Sequence, residues 1–116
     1  MGKHSDNAAE AVLDPGRLAS IVEAVSGVVE MEAGIESWRR TIDDRFFHRN
    51  NDKRAQPGLI IDKEQHFVTV EVALESTARI VKVVDDIQKA VKEALQDALP
   101  ADASDYTVLV RVQSIH

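Results

Sequence analysis

The chain has 116 residues and a formal net charge of −6, with 44% hydrophobic but only 4% aromatic residues. This length provides for one hydrophobic core, and the lack of cysteine excludes disulfides, thiolate zinc sites and cysteine nucleophiles, as is typical of a reducing cytoplasm. The acidic balance disfavours general binding to phosphate backbones. No stretch is apolar enough for a signal peptide or a membrane span, so we expect a cytoplasmic protein with one small aliphatic core.

Residues 1–12 are small, polar and without period, which predicts a disordered leader before a single domain over residues 13–116. Asp14-Pro15 provides a cap and a first helical residue, and the apolar spacing that follows predicts a helix over about 15–26, with Gly27 as a left-handed stop. Val28 to Met31 reads as a short strand.

Residues 35–57 follow neither the helical nor the strand periodicity. They form a long connection that is rich in basic and aromatic residues and ends at Pro57-Gly58. Between Trp38 and Arg54 there are six basic and three acidic residues, a local net charge of +3 within an acidic chain.

After this connection, Leu59–Ile61, a polar turn and Phe67–Leu74 predict a hairpin, and β alternation in its second strand predicts one buried and one wetter face. Apolar residues from Ile80 to Ala98 recur at helical spacing. The apolar first turn of this helix predicts cover on a second side, by the first helix or by a partner. Tyr106 to Ile115 reads as a closing strand.

The elements predict an α+β fold in the order α-β-β-β-α-β, a small mixed sheet covered by two helices. Because a strand–helix–strand connection within one sheet is a right-handed crossover, the strands before and after the long helix should be parallel.

The residues with reactive or metal-binding side chains do not have the spacing of a catalytic or metal site. The four histidines (His4, His48, His66 and His116) lack the i, i+4 spacing of a metal pair. The acidic pairs Asp43-Asp44 and Asp85-Asp86 point apart on a helix. The sequence has no G-x-S-x-G, Walker A or G-x-G-x-x-G motif. We therefore expect no catalytic residue, cofactor or metal.

The connection holds the candidate partner contacts. Placed on a helix, Trp38, Ile42 and Phe46 form one stripe surrounded by arginines, a pattern that suits a partner groove or a peripheral membrane contact. The same stripe also suits a lid packed over the domain's own sheet. A nucleic-acid-binding module that uses the basic segment 38–54 is the alternative, although no G-x-x-G loop is present. The full set of candidate contacts is Trp38, Arg39, Arg40, Ile42, Arg45, Phe46 and Phe47.

The long helix carries a family resemblance. Val83, Ile87-Gln88 and Val91-Lys92-Glu93-Ala94 resemble the "V-x-x-x-V-Q-x-x-V-K-E-A" helix of the alkaline shock protein family of envelope stress response proteins. The strand Val68–Leu74, the segment Ala24–Val29 and the strand Tyr106–Val112 are similar to the family's neighbouring elements. Residue Val81 departs from the pattern, since many relatives have Pro there, and the 36–56 connection has no family counterpart.

The resemblance implies a bacterial, cytoplasmic and non-enzymatic protein of the envelope or alkaline stress response. It also implies a homo-oligomer that gathers beneath the membrane through a membrane-anchored partner protein. Composition and spacing agree with the absence of an export signal and of an active site, but they do not bear on stress.

Overall fold

The computed structural model describes residues 14–34 and 56–116. Within these ranges, two helices lie on one side of a four-stranded sheet, in the predicted α-β-β-β-α-β order. The predicted leader over residues 1–12 and residues 35–55 of the predicted 35–57 connection lie outside the described residues. The elements are α1 (Pro15–Glu23), β1 (Val28–Met31), β2 (Leu59–Asp62), β3 (Phe67–Leu74), α2 (Ile80–Ala98), a 3₁₀ helix (Ala103–Asp105) and β4 (Thr107–Ile115).

Strand β3 is the centre of the sheet. β2 pairs antiparallel with its first half and β1 with its second half, while β4 runs parallel along its whole length. The amide of Glu71 donates to the Gly58 carbonyl, and the Glu71 carbonyl accepts from the Glu32 amide. Because both backbone groups of a strand residue point the same way, β1 and β2 share one edge of β3, and β4 occupies the other. The parallel β3–β4 pair confirms the prediction of a mixed sheet.

The core forms between the helices and one face of β3. In α2, the apolar residues at intervals of four are buried, as the helical period predicts. They pack against Leu18 and Val22 of α1 and against alternate residues of β3. The principal members are Val83, Ile87, Val91 and Leu95 of α2, and Val68, Val70, Val72 and Leu74 of β3.

The ends of α1 confirm one prediction and correct another. The Asp14 side chain accepts a hydrogen bond from the Arg17 amide at 3.3 Å, as expected of a cap. The helix ends at Glu23, three residues before the predicted end at residue 26. Gly27 has a φ of +98°, but it lies in the turn before β1, where an added Cβ would come 2.6 Å from a methyl group of Val83. The glycine therefore permits close packing of this turn against α2 and does not stop the helix.

The structure corrects two expectations about burial. Val81, in the first turn of α2, is 83% exposed, so α1 does not cover it, and the alternative of cover by a partner stays a prediction. In β3, the face that was predicted to be more exposed to solvent includes Glu71 and Ala73, which are only 1% and 0% exposed. Contacts that reach across this face bury both residues.

Candidate interaction surface

The side of the sheet away from the helices, here called the outer face, carries alternate residues of β3 and β4. The parallel register places Thr69 beside Leu109 and Glu71 beside Arg111. Phe67 and Leu109 are 41% and 40% exposed. The outer face therefore combines exposed apolar side chains with a polar centre.

Glu71 is that polar centre. Its carboxylate accepts hydrogen bonds from the Gly34 amide at 3.1 Å, from the Gln113 side-chain amide at 3.3 Å and from the Arg111 guanidinium at 3.4 Å. A carboxylate is removed from water at acceptable cost only when such partners replace the lost hydration. The Arg111 side chain remains 46% exposed, so one end of this ion pair still faces solvent.

The chain that follows β1 crosses the outer face. Ser114 of β4 donates to the Glu32 carboxylate at 2.6 Å, although β1 and β4 lie on opposite edges of β3. Ala73 is the register partner of Ser114, so the Glu32 side chain spans β3 at this position and accounts for the burial of Ala73. Residues Glu32 to Gly34 thereby connect the two edges of the sheet.

His116 joins Glu32 and Ser114 in a cluster that resembles a hydrolase triad in composition but not in geometry. Its Nε2 atom lies 3.0 Å from the Ser114 hydroxyl and 3.9 Å from the Glu32 carboxylate. In a Ser-His-acid relay, the hydroxyl and the carboxylate contact opposite nitrogens of the ring. Here both groups approach the same nitrogen, so the three residues do not form a proton relay. Their contacts connect β4 to the chain that follows β1.

The free edge of β4 is the second feature of this surface. The Thr107 amide donates to the His66 carbonyl at 2.8 Å, so the backbone groups of residue 107 point towards β3. Since consecutive residues of a strand alternate in this direction, Val108, Val110 and Val112 point away from β3. The Val108 carbonyl accepts from the Gln88 side chain of α2 at 3.1 Å, which agrees with this assignment. Among the described strands, none pairs with this outer edge.

Other surfaces of the described ranges offer less chemistry. No group of three or more metal-ligating side chains occurs in residues 14–34 or 56–116, and no helix described there is long and apolar enough to cross a bilayer. The groove between α1 and α2 is lined by Arg17, Ile21, Ala90, Glu93, Ala94 and Asp97. None of these lining residues is buried, so the groove has no desolvated polar group to hold a ligand.

Tyr106 gives a test of this end of the sheet at alkaline pH. Its ring packs edge-on against His66, with centroids 5.0 Å apart. Burial raises the pKa of the Tyr106 hydroxyl, and Asp102 and Asp62 raise it further. The folded state therefore holds this proton more tightly than the unfolded state, and the associated stability is complete below the ordinary tyrosine pKa of about 10 and is lost as pH rises through the folded value.

We expect Tyr106→Phe to flatten the loss of stability as pH rises from about 10 upward, because phenylalanine has no proton to release. Urea unfolding of both proteins across this range measures the effect. Equal alkaline slopes for the two proteins would contradict the assignment.

The predicted contacts Trp38, Arg39, Arg40, Ile42, Arg45, Phe46 and Phe47 all lie outside the described residues. Their roles remain predictions. The chain leaves the described part at Gly34, on the outer face beside Glu71, and re-enters it at Gln56, before β2.

Comparison of the sequence with family models, with curated proteins and with solved structures gives no significant match. The resemblance to the alkaline shock protein family therefore rests on the residue pattern alone. Sequence reasoning missed the Glu71 cluster. Its one available signal was that Glu71 is the single charged residue in the eight-residue strand β3.

Proposed function

We propose that this protein is a non-enzymatic scaffold of the bacterial envelope or alkaline stress response. It acts in the cytoplasm near the membrane, through a membrane-anchored partner and through contacts between its own copies. The sequence resemblance supports the cellular context. The outer face supports the mode of action.

The observation that carries this proposal is the pairing of exposed apolar side chains with a fixed polar centre. Phe67 and Leu109 are each about two-fifths exposed, while Glu71 holds Arg111 and Gln113 between the strands. Exposed apolar groups around an oriented arginine are typical of protein contact surfaces. Such a surface acts by binding a complementary protein, and this role requires no catalysed reaction.

Sedimentation with membranes tests the role of a partner protein. The purified chain should sediment with native bacterial membranes. It should not bind membranes that were first treated with protease, nor protein-free vesicles of the same lipids. Equal binding to protein-free vesicles would contradict a protein anchor. Salt-sensitive RNA binding without membrane binding would favour the nucleic-acid alternative.

Matched variants test the outer face. Phe67→Thr keeps a residue that is favoured in strands but removes the exposed aromatic ring, so it should lower the membrane-bound fraction several-fold. Val81→Ser alters an exposed aliphatic residue at the start of α2 and serves as the control. If Val81→Ser abolishes binding and Phe67→Thr does not, the contact surface lies at the helix end and not on the outer face.

A further inference from the structure

We infer that β4 pairs antiparallel with β4 of a second copy, about a two-fold axis at Val110, so that two sheets join into one. This inference rests on the proposed function because it gives the self-association in that proposal a site and a register. The partner is a second copy of this chain, since the free groups of β4 are complementary to themselves.

The backbone directions select the register. Val108, Val110 and Val112 point their backbone groups away from β3. A two-fold axis at Val110 places Val110 opposite itself and Val108 opposite Val112, which are the hydrogen-bonded pairs of an antiparallel ladder. Gln88 already donates to the Val108 carbonyl, but a carbonyl oxygen accepts two hydrogen bonds.

Neighbouring registers fit less well. An axis at Leu109 places Val112 opposite Tyr106, whose amide already donates to the Ala103 carbonyl. An axis at Arg111 places two guanidinium groups directly opposite each other, which is destabilising. An axis at Val112 pairs Val110 with Ser114, which lies beyond the register shift that follows Val112.

The side chains agree with the Val110 axis. Leu109 then faces Arg111 of the second copy across a non-hydrogen-bonded pair, where side chains approach most closely. Between Thr107 and Ile115 the sequence has one charged residue, Arg111, and no proline. Charged residues and proline are the usual devices that keep an edge strand from pairing, so the sequence of β4 leaves this edge suited to association.

A single engineered thiol tests the axis, because the chain has no cysteine of its own. Val110→Cys should form a disulfide-linked dimer under mild oxidation, since directly opposed strand residues lie within disulfide reach. Ile80→Cys, at the start of α2 and 42% exposed, is the matched control and should remain mostly monomeric.

A charge pair tests the register without disturbing the core. Leu109→Glu should strengthen dimerisation of the full chain roughly three- to tenfold, because each new carboxylate faces Arg111 of the other copy, and Leu109→Lys should weaken it by a similar factor. If Val110→Cys is too unstable to fold, this comparison still decides the question.

The outcomes separate the inference from the proposed function. If the chain self-associates but Val110→Cys crosslinks no better than Ile80→Cys, or the two Leu109 variants behave alike, the Val110 axis is overturned and the scaffold proposal stands. If the protein stays monomeric at every concentration, both the Val110 axis and the proposed self-association are overturned. Membrane recruitment through a partner is tested separately, by the sedimentation experiment.

Discussion

Replacing Glu71 by Ala is expected to lower the free energy of unfolding by about 2–3 kcal/mol, because three donors lose a buried carboxylate and a cavity remains. This loss in the free energy of unfolding is smaller than the full cost of breaking a buried ion pair, because the Arg111 side chain is 46% exposed and water replaces part of its lost contact. Chemical denaturation of the purified variant measures the change.

Glu71→Gln is the matched control for shape. The amide keeps an oxygen for the Gly34 amide but gives up the charge that pairs with Arg111, so we expect a loss of about 1 kcal/mol. Equal stability of Glu71→Ala and the unmodified chain would show that the Glu71 contacts do not organise the outer face.

Replacing Ile87 by Ala is expected to cost about 2–5 kcal/mol, because the side chain is fully buried at the centre of α2 and its removal leaves a cavity between helix and sheet. Val81→Ala is the control on the same helix. Val81 is 83% exposed, so its truncation should change the free energy of unfolding by no more than about 0.5 kcal/mol. Thermal and urea unfolding of the two variants provide the comparison, and similar losses would contradict the packing of α2.

The regular elements were predictable because their signals are local. The apolar spacing of α2 predicted the helix from Ile80 to Ala98, and alternation predicted β3 from Phe67 to Leu74. The crossover rule then predicted that β3 and β4 are parallel. Each of these inferences uses residues that are close in sequence or a general rule of chain geometry.

The outer face was not predictable because its contacts are distant in sequence. Alternation makes Glu71 look solvent-exposed, yet its partners are Gly34, Arg111 and Gln113, between 37 and 42 residues away. The crossing of β3 by Glu32 likewise depends on Ser114, 82 residues later. Periodicity cannot reveal that two distant polar residues meet over a strand.

Sedimentation equilibrium of the full chain most directly tests the central claim that the sheet is a contact surface, with its β4 edge used for self-association. Because one added strand pair buries a small interface, the measurement should extend from about 10 µM to about 1 mM. We predict a reversible monomer–dimer equilibrium that Val110→Pro removes without unfolding the domain, since the Val110 amide points away from β3 and proline is tolerated on strand edges. A chain that remains monomeric throughout this range, or a Val110→Pro variant that dimerises as well as the unmodified chain, would contradict the account.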